Sequence, residues 1–133
     1  MREILFRGQQ RKKGEKVRLD GSPVESLWFY GNGVLQSRGQ FAIIYQTEPV
    51  FSKHSVYSDT LGQYTGVTDK SGVKVFEGDI LRDDDAEENG VVIFEEGEFC
   101  VMFGNVVTHG IADIAYSCYV RGNIHDNPEL LKE

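Results

Sequence analysis

The stretch GQYTGVTDKSGVKVFEGDIL, residues 62–81, decides the fold; it holds four glycines, two aspartates and a Lys-Ser pair. It fits neither glycine-rich phosphate-binding pattern, because no G-x-x-x-x-G run precedes Lys70 and the glycine spacing is not G-x-G-x-x-G. The glycines therefore predict turns and bends in a sheet rather than a nucleotide cradle.

Two places in this stretch have a specific backbone interpretation. DKSG at 69–72 predicts a hairpin turn in which Asp69 accepts hydrogen bonds from the amides that follow it and Gly72 is left-handed or bulged. Gly78 separates VKVFE from DILR, where the missing Cβ lets a strand bend or bulge. Asp79 follows it and predicts a partly buried acceptor for turn amides.

Short runs of β-branched and aromatic residues, bounded by Gly, Asn, Asp and Pro, recur along the chain and predict a mainly β fold. Helical periodicity is weak, and the regular pattern lapses at 47–60 and at 104–114, which predicts loops or an irregular edge. The predicted strands are 3–8, 16–19, 26–31, 40–46, 62–67, 73–78, 79–82, 91–95, 98–103 and 115–122.

Turn signals connect several of these strands. Asn32-Gly33 predicts a two-residue hairpin between 26–31 and the residues that follow, and EEGE at 95–98 predicts another. Near the end, Asn127 predicts a cap and Pro128 the first position of a short helical turn.

Charge is unevenly distributed. The net charge is −7, but the first 18 residues carry +5 and the remaining 115 carry −12, which disfavours general binding to nucleic acid. The basic segment 7–18 predicts contact with an acidic face of the same chain or of a neighbouring subunit, with solvated side chains as the alternative. Its candidate partner-binding residues are Arg7, Arg11, Lys12, Lys13, Lys16 and Arg18.

An approximate calcium-loop pattern lies downstream, with Asp85, Glu87, Asn89 and Glu96 at ligand positions. Such loops work between helices, whereas this one lies between predicted strands, so a solvated acidic turn is the favoured interpretation. Glu77 and Asp79 would form a paired-carboxylate hydrolase site only if a bulge at Gly78 brought them together.

No other signature indicates an enzyme, a metal site or a cofactor. Cys100 and Cys118 are the only cysteines and predict reduced core thiols. No run is long and apolar enough for a membrane span, and no secretion signal begins the chain, so we expect a cytoplasmic protein with no membrane partner.

Three segments together resemble the YopX-like proteins of bacteriophages and prophages: REILFRG (2–8), LGQYTGVTDKSGVKVFEGDIL (61–81) and VRGNIHDNPELL (120–131). The resemblance spans both ends and the middle of the chain. It implies a phage-derived origin, a host-cytoplasmic location and a β architecture with barrel-like modules. It further implies one domain over 1–133, with an N-terminal part (1–60) and a C-terminal barrel-like part (61–133).

Because the resemblance transfers no catalytic residue, we expect a non-enzymatic accessory protein that binds a protein partner or copies of itself. The alternatives are a nucleic-acid-associated small barrel that uses segment 7–18 and a hydrolase that uses Glu77 and Asp79. The residues expected to shape the backbone and core are Gly62, Tyr64, Gly66, Asp69, Gly72, Gly78, Asp79, Gly122, Asn123, Asn127 and Pro128.

Overall fold

The computed structural model describes residues 3–10, 28–36 and 39–132, and over these residues the fold is mainly β, as predicted. Every strand pairing in them is antiparallel. The strands are β1 (Phe6–Gln9), β2 (Trp28–Gly31), β3 (Gly33–Gln36), β4 (Phe41–Gln46), β5 (Ser52–Tyr57), β6 (Gly62–Thr68), β7 (Lys74–Phe76), β8 (Asp79–Asp83), β9 (Glu88–Glu95), β10 (Glu98–Phe103), β11 (Val106–Thr108) and β12 (Tyr119–Asn123).

Helical structure is confined to one α-helix and two 3₁₀ helices within the described ranges: α1 (Ile111–Ser117), Ser58–Thr60 and Pro128–Lys132. The last of these is the predicted C-terminal helical turn. None of the helices described is long and apolar enough to cross a membrane.

The chain divides into two compact units, Glu3–Gln63 and Tyr64–Glu133, called unit 1 and unit 2 below. In unit 1, β1 pairs with β2 and with the first two residues of β6. A second group of strands has the order β3-β4-β5, and β5 occupies part of the ambiguous segment 47–60. One face of that sheet supplies the core residues Ala42, Ile44 and Val56, each at most 3% exposed. The predicted strand 16–19 lies outside the described residues.

The predicted hairpin at Asn32-Gly33 is wrong. β2 pairs with β1, whereas β3 pairs with β4, so the chain passes from one group of strands to another at this point. Glycine is needed here for a close approach: a Cβ at Gly31 would lie 2.8 Å from the carbonyl carbon of Tyr45, and one at Gly33 would overlap its ring. Asn32-Gly33 is a dipeptide that favours a tight turn, but here Gly33 is required for close packing against Tyr45 of β4.

Unit 2 is built on a five-stranded sheet with the order β11-β10-β9-β8-β12. Glu96 and Gly97 have φ of 51° and 82°, and they connect β9 to β10 in the hairpin predicted at 95–98. The sheet contributes Leu81, Val92 and Val101 to a buried core, in which each is at most 1% exposed.

The predicted strand 115–122 is partly wrong, because its first residues belong to α1 and β12 begins only at Tyr119. Ile111, Ile114, Ala115 and Cys118 recur at helical spacing and pack on the core of unit 2. In the sequence this short helix is hard to recognise, because Tyr116 and the residues after it favour a strand. The segment 104–114, predicted to be a loop or an irregular edge, contains the three-residue edge strand β11 and the start of α1.

Candidate protein-binding surfaces

The DKSG turn is held by the buried carboxylate of Asp69. One oxygen, Oδ1, accepts hydrogen bonds from the backbone N–H groups of Ser71 at 2.8 Å and Val73 at 2.9 Å. Gly72 has φ +84°, as the predicted turn requires. The second oxygen, Oδ2, accepts from the N–H of Val120 in β12 at 2.8 Å, a long-range bond that sequence reasoning missed. Asp69 therefore joins the hairpin to a sheet strand and is not available as a ligand site.

Hydrogen-bond donors and a nearby positive charge keep the Asp69 carboxylate ionised. Burial alone would raise the pKa of Asp69, but the amides of Val120, Val73 and Ser71, together with Lys70, hold it below the ordinary value of 3.8. The ionised form is the better acceptor for three N–H donors. The turn is therefore stabilised by charge-assisted hydrogen bonds at neutral pH.

Asp79 closes the turn between β7 and β8. Its Oδ2 accepts from the N–H of Phe76 at 2.7 Å, and the side chain is 2% exposed. Gly78, with φ +91°, donates to Val92 O and accepts from Ile124 N, both at 2.9 Å. A general acid or base must reach its substrate. A buried carboxylate engaged with a turn amide does not support the hydrolase that would use Glu77 and Asp79.

The C-terminal Asn residues form a local network. Asn123 Oδ1 accepts from the N–H groups of His125 at 3.0 Å and Asp126 at 2.9 Å. Asn127 directly precedes Pro128, the first residue of the 3₁₀ helix, and its carbonyl oxygen accepts from Leu130 N at 3.1 Å, so it occupies the predicted cap position. Its side-chain Oδ1 accepts from Asn123 N at 3.2 Å, upstream of the helix. Gly122 leaves the room that this amide occupies, since a Cβ there would lie 2.8 Å from Asn127 Cγ.

Tyr64 and the two cysteines belong to the interior. Tyr64 is 8% exposed, and its ring centroid lies 5.6 Å from that of Phe76. Cys100 and Cys118 are buried thiols, as predicted. Burial raises the pKa of both, and the carboxylates of Glu95, Glu98 and Glu96 raise that of Cys100 further.

The calcium-loop alternative is contradicted by the strand that runs through it. Asn89 lies near the start of β9 and Glu96 follows its end, so seven residues of extended chain place them roughly 23 Å apart. The Asn89 amide is also engaged within the fold, because its Nδ2 donates to Leu130 O at 2.8 Å. Asp85, Glu87, Asn89 and Glu96 cannot surround one ion in this arrangement.

We expect added calcium to leave the melting temperature unchanged relative to added magnesium. A cation that binds only the folded state must raise that temperature, and the separation of Asn89 from Glu96 removes the shared site. Differential scanning fluorimetry with each cation and with EDTA measures it. A calcium-specific rise that disappears in Glu96→Gln would show that this geometry is wrong.

One basic residue of segment 7–18, Arg7, lies within the described ranges, and its side chain is buried. Arg7 is 7% exposed in β1, and its guanidinium carbon lies 4.5 Å from the centroid of the Trp28 ring. The burial of Arg7 therefore does not favour its predicted role as a partner-binding residue. Arg11, Lys12, Lys13, Lys16 and Arg18 lie outside the described residues.

Unit 1 presents an apolar surface on the second face of the β3-β4-β5 sheet. Strand register places Leu35 opposite Ile43, and Phe41 opposite Tyr57. Leu35 is 62% exposed and Phe41 is 44% exposed, while the Phe41 and Tyr57 rings pack with centroids 4.7 Å apart. We call these residues with Tyr45 the apolar sheet face. Its sequence signal was the unbroken apolar run FAIIY, which leaves no polar side to β4.

Unit 2 contains a groove of ≈ 560 Å³. Three segments line it: β6, the β9–β10 hairpin and the start of α1. Glu98 stands on its rim and is hydrogen-bonded to Nδ1 of His109. The lining residues are Thr65, Gly66, Phe94, Gly97, Glu98, Phe99, Gly110, Ile111 and Ala112. Sequence reasoning missed this groove because its parts are distant along the chain.

Comparison with known proteins establishes the family. A solved crystal structure, that of protein EF1440 from Enterococcus faecalis, is similar with a TM-score of 0.54 at 23% identity, and the alignment covers 98% of this chain and 99% of that one. At this identity the likeness concerns the fold alone. None of the curated proteins matches the chain. The family model described as YopX protein matches residues 11–132, and the chain therefore belongs to the YopX protein family.

Proposed function

We propose that this chain is a phage- or prophage-derived accessory protein that acts in the host cytoplasm by binding protein chains, including copies of itself. The observation that carries the proposal is the apolar sheet face of unit 1. Family membership supports the phage origin. The engagement of Asp69 and Asp79 in backbone hydrogen bonds favours a binding role over a catalytic one.

The apolar sheet face has the composition of an interface core. A β-sheet whose two faces are both apolar buries one face in its own core and leaves the other for a partner. Here Ala42, Ile44 and Val56 take the core side, while Leu35 and Phe41 stay largely exposed on the other. Interface cores are rich in aromatic residues and poor in charge. The face has the aromatic residues of such a core, with Ser55 beside Ile43 and Lys53 beside Tyr45 as its polar members.

Charge at the two ends of β5 favours a second copy as the partner. Lys53 lies near the beginning of the strand and Asp59 follows its end, and both are exposed. In a two-fold dimer with antiparallel β5 strands, Lys53 of one copy lies near Asp59 of the other, and the reverse contact forms as well. The charges at the two ends of β5 are therefore self-complementary in such a dimer.

We expect the wild-type chain to self-associate and Leu35→Glu to weaken the association roughly tenfold or more, because the variant buries an unpaired charge. Sedimentation velocity over a concentration series measures the dissociation constant. Val50→Glu is the matched control: Val50 is 73% exposed in unit 1 but lies outside the strands.

The charges of Lys53 and Asp59, at the two ends of β5, give a second control. Lys53→Asp should weaken association, and Lys53→Asp combined with Asp59→Lys should restore it. A wild-type chain that stays monomeric at its highest soluble concentration would contradict self-association through this face. Circular dichroism confirms that each variant remains folded.

Nucleic acid is the alternative partner, through the basic side chains in segment 7–18. The charge of residues 64–133 is −10, which opposes it. Salt-sensitive binding of single-stranded DNA, measured by fluorescence anisotropy and lost when Arg11, Lys12, Lys13 and Lys16 become alanine, would favour this alternative over a protein partner.

A further inference from the structure

The outer edge of β12 is closed without a neighbouring strand. β12 is the last strand of the unit 2 sheet, and among the described strands it pairs with β8 alone. Its pairing contains a bulge at Arg121, between Val120 and Gly122. An edge strand presents unpaired N–H and C=O groups to which another chain can add a strand. Here two other segments of unit 2 bond to those groups.

The DKSG turn closes the first half of the edge. The register places Val120 opposite Leu81 of β8, but the N–H of Val120 donates to Asp69 Oδ2 at 2.8 Å and therefore points away from β8. Backbone groups of alternate residues point to the same side of a strand. Two residues earlier, Cys118 O accepts from the N–H of Lys70 at 3.0 Å. Asp69 and Lys70 thus supply the acceptor and the donor that a neighbouring strand would supply.

The C-terminal segment closes the second half of the edge, beyond the bulge. The N–H of Asn123 donates to Asn127 Oδ1 at 3.2 Å, and Asn123 O accepts from the N–H of Asn127 at 2.8 Å. Two antiparallel strands exchange the same pair of bonds, except that a backbone carbonyl takes the place of this side-chain amide. Gly122 leaves room for the amide, since a Cβ there would lie 2.8 Å from Asn127 Cγ.

The opposite edge of the sheet is protected by its length. β11 has three residues, and a short edge strand offers an incoming chain few groups to pair with. β12 has five residues and includes Tyr119 and Val120, which have high β propensity. Of the two edges, β12 is therefore the one at which strand addition has to be blocked.

We propose that the Asp69-Lys70 pair and Asn127 are two edge guards, which prevent the β12 strand of a second copy from adding to the unit 2 sheet. A second β12 strand, related to the first by a two-fold axis, brings the same donors and acceptors in reverse order. Two unguarded edges therefore pair with each other. With the guards in place, self-association of the native chain is left to the apolar sheet face of unit 1, and unit 2 stays outside the interface.

Two substitutions remove guard bonds and retain the surrounding turns. Asp69→Asn keeps a carbonyl oxygen for the turn amides of Ser71 and Val73. It presents an NH₂ group to the N–H of Val120, where the carboxylate presented an acceptor. Asn127→Ala removes the side-chain acceptor at the other end of the edge. The chain with both substitutions is called the guard-free chain.

The matched control combines Asp85→Asn with Asn105→Ala. Both positions are exposed and lie in turns outside β12. The control makes the same changes of residue type and of net charge as the guard-free chain. A difference between the two chains therefore reports the β12 edge and not a change of solubility with charge.

The test compares these two chains in a Leu35→Glu background, which weakens association through unit 1. Sedimentation velocity over a concentration series measures self-association, and hydrogen exchange with mass spectrometry follows the amides of residues 118–124. At low concentration we expect these amides to exchange faster in the guard-free chain than in the control. The guard-free chain should self-associate with a dissociation constant lower by roughly tenfold or more, and residues 118–124 should regain protection as it does so.

Failure of this proposal is distinguishable from failure of the proposed function. If Leu35→Glu leaves the wild-type association unchanged, the apolar sheet face is rejected, but the guard-free chain and its control still differ only at the guards. The comparison between them therefore decides the edge-guard proposal whatever the state of unit 1.

Three results would overturn the edge guards. Equally slow exchange of residues 118–124 in both chains would show that the guard bonds do not close the edge. Fast exchange without any increase in self-association would show that the open edge does not pair. Association that leaves residues 118–124 unprotected would place the contact on another surface. If a melting curve shows that the guard-free chain is unfolded, Asn127→Ala alone, with Asn105→Ala as its control, is judged by the same three results.

Discussion

Replacing Asp69 by alanine is expected to lower the free energy of unfolding by about 4 kcal/mol, the largest effect of any single substitution proposed for this chain. The change removes a charged acceptor from the N–H groups of Ser71, Val73 and Val120. Hydrogen bonds to charged groups contribute more than neutral ones, and the Asp69 carboxylate that accepts them is only 6% exposed. Urea denaturation followed by circular dichroism measures the loss.

Asp84→Ala is the matched control for this substitution. Asp84 is an aspartate of the same unit whose side chain is 59% exposed and lies 3.9 Å from the Lys70 ammonium. Exposed ion pairs contribute little, so its removal should cost less than about 1 kcal/mol. Equal losses in the two variants would show that the amide bonds of Asp69 do not anchor the hairpin.

The lowered pKa of Asp69 adds a pH dependence. Because its folded-state pKa lies below 3.8, the stability contributed by ionisation is fully present above that value and is lost as pH falls through the folded pKa. Wild-type stability should therefore drop more than that of Asp69→Asn when the pH is taken from neutrality to below 3.8. If the stability of the wild-type chain and that of Asp69→Asn changed in parallel with pH, the lowered pKa of Asp69 would be contradicted.

Gly31→Ala is expected to cost about 3 kcal/mol through overpacking. The new Cβ would lie 2.8 Å from the carbonyl carbon of Tyr45 and 3.3 Å from Ile44 Cγ2. Since the first obstacle is backbone, relief requires movement of β4 rather than a change of rotamer. Thermal and urea unfolding of the purified variant give the magnitude.

Gly39→Ala provides the comparison, because a Cβ there would meet nothing within 4 Å. With ordinary backbone angles the substitution should be neutral or stabilise the protein by up to about 1 kcal/mol, through reduced freedom of the unfolded chain. If Gly31→Ala were equally mild, the glycine would not be required by close packing at the passage from β2 to β3.

The candidate sites were predictable only in part. The run FAIIY has apolar residues at alternate and intervening positions alike, a signal in the sequence that could have pointed to the apolar sheet face. The groove gave no comparable signal, because Phe94 and Ile111 belong to a strand and a helix that meet only in the folded chain. The calcium pattern failed for the opposite reason: its residues are close in sequence and far apart along β9.

Local chemistry by itself determined the mainly β class, the DKSG turn and the EEGE hairpin, since each depends on residues within a few positions of one another. Tertiary structure alone decided the partners of β2 and β3, the bond from Asp69 to Val120 and the groove that Phe94 lines. Local backbone preferences act over a few residues, whereas packing joins residues across the chain, and only the folded arrangement selects among the pairings that those preferences allow.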